Sequence, residues 1–288
     1  MQGGYSPVCV HLTERDRSID LMVTGRRNRH AKSFPLPKRS PGSLGLLFLF
    51  QGKSFTNTFT LLFLHQLSLS VSMECQMNLK EAKYITGHKS GLGAPSKMPG
   101  FSTSLSAYDC KTGSKLAKIE GSVCSKCYAF RNNYNYPNVK SAHQARLAAL
   151  EHPQWVEAMT LLVGHYTEEA DPYFRIHDSG DIQSKEHLVM WINVARNLPW
   201  VKFWMPTKEV RWTKDVRAKT TDWPKNLVVR LSAPMVGQAP PQSMENFPTS
   251  TVQSDTGFSC GAPTRGNKCG PCRACWISTV KNIDYHAQ

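Results

Sequence analysis

The chain is 288 residues long, enough for one large domain or two small ones, and its hydrophobic share of 40% leaves part of it outside a packed core. Nine cysteines, an odd number with C-x-x-C units, argue against a secreted disulfide framework and for metal ligation in a reducing, cytoplasmic setting. The formal net charge of +14 leaves nucleic acid open as a partner.

Residues 1–72 hold nine of the basic residues against three acids and show no sustained helical or strand period. The apolar bursts Leu46–Phe50 and Thr60–Leu64 are interrupted by polar residues and are too short for a membrane span of about 20 residues. No membrane association is expected. Residues 1–76 read as an unstructured leader, or as sequence upstream of a start at Met73 or Met77.

From Met77 onward the pattern becomes that of a folded domain. Gly87–Gly100 is a Gly/Pro/Ser loop, and it does not match the phosphate-binding spacing G-x-x-x-x-G-K-[ST]. Alternating residues predict a strand over Phe101–Ala107, with a weaker one at Lys115–Ile119. Helical spacing follows over Val139–Leu150 and Pro153–His165. Tyr173–Ile176 is a strand running into the polar turn His177-Asp178-Ser179-Gly180-Asp181. Ser184 caps a helix to Asn197, Val201–Met205 is a strand, Glu209–Lys219 a helix, and Leu227–Leu231 a strand. The aromatics Trp191, Trp200, Phe203, Trp204 and Trp212 are read as core packing before base stacking.

Strands alternating with helices predict an α/β domain, either a partial (β/α) barrel or an open parallel sheet. Its functional loops then lie at the C-terminal ends of strands: His177–Asp181, Pro206–Lys208 and Ser232–Met235. Residues 77–240 form this core domain. Residues 236–259, rich in Pro, Gln, Ser and Thr, read as a connection, and residues 241–288 as a small Cys-rich metal knob.

Two cysteine groups carry the chemistry. Cys260, Cys269, Cys272 and Cys275 sit in Gly/Pro/Asn-rich sequence, where small turn residues let the backbone wrap a metal. Three cysteines at spacing three with a fourth nearby resemble 4Fe–4S ligation more than the paired knuckles of structural zinc. Cys110, Cys124 and Cys127 would leave one iron of a second cluster open. The competing reading is a zinc site completed by His88, His143 or Cys75. In the polar turn, His177, Asp178 and Asp181 are candidate pocket residues that hold ligand or move protons, against a plain capping role for the aspartates.

The runs Cys124-Ser-Lys-Cys127-Tyr-Ala, Phe174-Arg-Ile-His-Asp-Ser-Gly-Asp181 and Val201-Lys-Phe-Trp-Met-Pro-Thr207 resemble the phage "gene product 88" family. So do Leu227-Val-Val-Arg-Leu-Ser-Ala-Pro-Met235 and Gly266-Asn-Lys-Cys-Gly-Pro-Cys-Arg-Ala-Cys-Trp276. The resemblance spans roughly residues 79–286 and implies no particular activity. More distantly, Cys124-x2-Cys127-Tyr128 is similar to the cluster loop of radical S-adenosylmethionine enzymes. That resemblance implies a partial barrel, a three-cysteine cluster that can take S-adenosylmethionine, and a C-terminal auxiliary cluster. Cys110 lies fourteen residues before Cys124, whereas four is the rule in those enzymes. The expectation is therefore an iron–sulfur protein of phage or mobile-element type, an enzyme of unknown substrate. The alternative is a zinc-stabilised accessory protein that binds nucleic acid.

Overall fold

The computed structural model describes residues 77–286, and the leader expected over residues 1–76 lies outside the described residues. No helix among the described residues is long and apolar enough to cross a membrane. Seven parallel strands form one open sheet flanked by helices.

Helix α1 (Leu79–Ile85) starts at Asn78, whose side chain accepts from the Glu81 amide at 3.0 Å, as an N-cap must to satisfy a free donor. Strand β1 (Phe101–Ser102) and a short helix α2 (Gly113–Leu116) follow, then α3 (Pro137–Ala149), with proline in the first turn, and α4 (Trp155–Tyr166). Next come β2 (Tyr173–Arg175), α5 (Lys185–Asn197), β3 (Lys202–Thr207), α6 (Val210–Lys219) and β4 (Leu227–Val236). Ser184 caps α5 by accepting from the His187 amide at 3.1 Å. The chain closes with β5 (Thr249–Val252), β6 (Phe258–Ser259) and β7 (Asn282–Tyr285). The strand order is β1-β2-β3-β4-β5-β7-β6, so the first five strands neighbour one another in chain order.

The register assigns the two faces. Phe174, Phe203 and Leu227 are aligned across β2–β4 and, with Met205 and Val229, share one buried core with α1, α4, α5 and α6. Alternation puts Arg175, Trp204, Val228 and Arg230 on the opposite face. There the buried Trp276 packs against Trp204 and Tyr173, with ring centroids 5.2 Å apart in both pairs, and donates to the Phe174 carbonyl at 3.1 Å. Trp191 and Trp204 are both buried, as core packing requires.

Three expectations change. The strand from Phe101 stops at Ser102 because β2 ends at Arg175 and offers no further ladder. Thr103 and Leu105 pair instead with the polar turn, through Asp178 N to Thr103 O at 2.9 Å and Leu105 N to Ser179 O at 2.9 Å. Gly180 (φ 80°) makes this possible, since a Cβ there would meet the Leu105 carbonyl at 2.7 Å. Residues 115–119 have no free sheet edge to join and fold as the end of α2 and a turn. The stretch taken as a connection contains β5 and β6, so the four-cysteine segment is woven into the sheet instead of standing apart as a knob. Hydropathy hid β5 because its side chains are polar and paired: Thr249 donates to Asn282 at 2.9 Å and Thr251 to Asp284 at 2.7 Å.

Candidate functional site

The first cysteine group hangs over the C-terminal ends of β3 and β4. Cys110 ends a single 3₁₀ turn, Ala107–Asp109, capped by Ser106. Cys124 lies in a second, Val123–Lys126, capped by Ser122, and Cys127 closes it with its amide on the Cys124 carbonyl at 3.2 Å. Side chains three apart eclipse in a 3₁₀ turn, so C-x-x-C in this conformation sends both thiols to one side. Gly113 is the floor beneath the pair Cys110 and Cys124: a Cβ there would lie 3.6 Å from each sulfur. The loop is anchored at two points. Glu209, buried beyond β3, accepts from the Thr112 amide at 2.8 Å and its hydroxyl at 2.9 Å. Val236 at the end of β4 donates to the Gly121 carbonyl at 3.0 Å.

Electrostatics tie this loop to the sheet edge. Burial pushes the Cys110 thiol up, and the charges of Asp181, Cys124, Cys127 and Glu209 push it further. Burial also raises Cys124, while the cationic Lys208 pulls it back. Lys208 itself is lowered by burial and donates to the Ala233 carbonyl at 2.5 Å. Asp181 is buried and raised to about 6 by desolvation, although its carboxylate accepts from Thr207 at 2.6 Å, Ile182 N at 2.8 Å and Lys208 N at 2.7 Å. A cavity of about 340 Å³ opens beside them, lined by Thr112, Lys208, Glu209, Arg211, Ser232 and Met244 among others.

The three polar-turn candidates diverge. The charge of Asp181 bears on Cys110 and Cys124. His177, held at φ 62°, points into the helix layer, its ring 5.3 Å from His187 and 6.3 Å from Trp191, and burial keeps it neutral. Asp178 turns towards β1, accepting from Ser102 at 3.0 Å, and its carboxyl is raised by burial against the pull of Arg175 and Arg146. The histidines considered as zinc ligands have other partners: His88 sits between Thr86 O at 2.9 Å and Thr103 Oγ1 at 2.8 Å, and His143 is 3.1 Å from Ser104 Oγ. Cys75 lies outside the described residues.

The second group lies on the sheet face opposite the helices. Cys260 follows β6 with its amide on Asp284 O at 2.8 Å, and the Cys269 amide donates to Lys97 O at 2.8 Å. Asn267 (φ 61°) and Gly270 (φ 55°) let the backbone coil between them. Burial raises Cys269, and Cys260 and Cys272 add to it, with Arg175 and Arg273 opposing. Cys275, 3.2 Å from the Tyr285 hydroxyl, is pushed to about 11 by burial against the pull of Tyr285, Arg230 and Arg175. Arg230 is fully buried and donates to the carbonyls of Thr249, Val280, Ala274 and Ile277, two of which flank Cys275.

The family described as Gene product 88 matches residues 73–277. The chain belongs to the gene product 88 family. No curated protein and no solved structure gives a significant match.

In this gene product 88 chain the seven described cysteines are free thiols. As the side chains stand, no group of three or more His, Cys, Asp or Glu among the described residues forms a metal-ion site. Both donor sets are nevertheless made of thiols, the soft ligands a sulfur-ligated centre takes, and Gly113 leaves room beside two of the trio, since a Cβ there would come within 3.0 Å of the Cys110 Cβ. Sequence reasoning marked the Pro206–Lys208 loop without singling out Lys208, and it missed Glu209, Arg175 and Arg230 as site residues. Arg230 carries its own signal, a lone cation inside the apolar run Leu227–Leu231, since arginine is rarely buried unless its donors are used. Glu209 carried none, because its partner Thr112 is 97 residues away.

Proposed function

We propose that the chain is a cytoplasmic iron–sulfur protein of phage or mobile-element type, and an enzyme related in design to the radical S-adenosylmethionine class. What supports this most is that the loop carrying Cys110, Cys124 and Cys127, with Cys110 and Cys124 both beside Gly113, is anchored at the C-terminal ends of β3 and β4 next to a cavity. Those ends are where α/β sheets carry their ligands. Cys110, Cys124 and Cys127 would hold a 4Fe–4S cluster by three thiolates, and Cys260, Cys269, Cys272 and Cys275 a second by four. Such a cluster, when bound, supplies an electron and an iron position open to S-adenosylmethionine. Asp181 and Lys208 set the charge at the trio, Glu209 holds its loop in place, and the wall from Thr112 to Met244 shapes the space for substrate.

The test is anaerobic reconstitution with iron and sulfide, followed by metal and labile-sulfide analysis of the full chain and of a Cys110→Ser/Cys124→Ser/Cys127→Ser variant. The proposal expects charge-transfer absorption and about eight iron per chain, halved in the variant, as two 4Fe–4S clusters require. Stoichiometric zinc without iron or sulfide would replace it with the zinc-stabilised accessory reading.

A further inference from the structure

The positive charge of the described residues is not evenly spread. Residues 77–140 carry ten basic residues against Glu81, Asp109 and Glu120, six of the ten within 107–140, whereas residues 141–286, more than twice as long, carry sixteen against fourteen. The six, Lys111, Lys115, Lys118, Lys126, Arg131 and Lys140, are all exposed. A run of charge alone is usually a solvated face. Here it is interleaved with aromatic surface: Tyr108 is 58% exposed, Tyr136 56% and Tyr128 39%. Folding normally buries such rings, and each keeps part of its surface in water.

Two of the three are braced from behind. The Tyr108 ring rests 4.9 Å from Phe130, and the Tyr128 ring 5.8 Å from Tyr134 with its hydroxyl donating to the Asp178 carbonyl. Their planes are therefore set before any ligand arrives, which limits the ordering cost of binding. The same segment carries the cysteine trio, with Tyr108 two residues before Cys110 and Tyr128 directly after Cys127.

From this we infer that residues 107–140 form a binding surface for single-stranded nucleic acid. The phosphates meet the six cations, unpaired bases stack on Tyr108, Tyr128 and Tyr136, and a nucleotide is delivered to the cysteine trio as substrate. Phosphate charge and an accessible base face are shared by DNA and RNA, and together they distinguish a single strand from a duplex, whose bases are already stacked. The binding surface stands on its own observations; only the substrate assignment rests on the function proposed above.

The experiment is fluorescence anisotropy of the full reconstituted chain with labelled oligo-dT and oligo-U of about 15 nucleotides, and with a duplex of the same length. Both single strands are expected to bind more tightly than the duplex, and a preference between them identifies the source. Tyr108→Ala and Tyr136→Ala are each expected to weaken binding about 5-fold or more at constant salt. Replacing Lys111, Lys115 and Lys118 by Gln should flatten the plot of log affinity against log salt by about two. Lys219→Gln/Lys225→Gln, exposed cations on and beyond α6, should change neither quantity. Absence of binding at low salt overturns the inference. So does equal binding of duplex with no effect of the tyrosine variants, or an equal loss in the α6 control. Iron and sulfide analysis of the same preparation reports separately on the cluster, so a chain that binds oligonucleotide without iron sinks the substrate assignment and keeps the surface.

Discussion

Acid will unfold this domain through its buried histidines. His88 is lowered to about 3 by burial and by the charge of Arg146, His187 to about 3 by burial, and His143 to about 4 by burial and Arg146. His177 is lowered well below its usual value by burial, His187 and Arg175. A folded pKa below the unfolded value of about 6.5 means that the unfolded chain binds more protons between the two, so stability is complete above pH 6.5 and falls as pH falls. At pH 5 His88 and His187 have each cost about 2 kcal/mol, from about 1.4 kcal/mol per pH unit over 1.5 units, and His143 and His177 act in the same direction. Asp181, raised to about 6, works in the opposite sense and returns about 1.4 kcal/mol by the same pH. Asp178, also raised, shares that sign. The histidines outweigh the aspartates, and the net loss is a sizeable part of the about 5–15 kcal/mol that holds a typical domain folded. The assay is urea denaturation at pH 7.5 and pH 5. His88→Gln, which keeps polar atoms for Thr86 and Thr103 but does not titrate, should narrow the gap between the two pH values by about 2 kcal/mol. An unchanged gap in His88→Gln would refute the assignment of His88 as a buried neutral group.

Trp276→Ala should cost about 3–5 kcal/mol in thermal or urea unfolding, because it empties the space against Trp204 and Tyr173 and strands the Phe174 carbonyl. A loss under about 1 kcal/mol would mean that the C-terminal segment folds apart from the sheet. Glu209→Gln should leave the melting temperature nearly unchanged but reduce iron retention at the trio against a chelator about 10- to 100-fold, as loss of a supporting contact does; unchanged retention would show that the Thr112 clamp does not position Cys110. Chelation of reconstituted protein should lower the melting temperature, since metal binding to the folded thiols alone adds to folding free energy, and an unchanged melting curve would place the cysteines outside the stabilising structure.

The sequence by itself was enough to determine the α/β class, the helix that Ser184 caps and the helical period over Val139–Leu150. A cap or a 3.6-residue period acts over a few positions and needs no distant partner. It also marked the two cysteine groups, because C-x-x-C spacing is a local property. Strand extent was not legible where pairing decided it: β1 stops at Ser102 because its partner strand β2 stops at Arg175, and Thr249–Val252 is a strand only because Asn282 and Asp284 arrive to satisfy its hydroxyls. The site's composition was likewise a tertiary matter. His177, Asp178 and Asp181 are neighbours in sequence, yet φ 62° at His177 and the turn at Gly180 send their side chains to three different places. Of the three, only the Asp181 charge bears on the trio, and Lys208, Glu209 and Arg230 are held by contacts spanning 24 to 97 residues. Spacing along the chain identifies the two thiol groups; only the packing of the sheet decides which charges surround them.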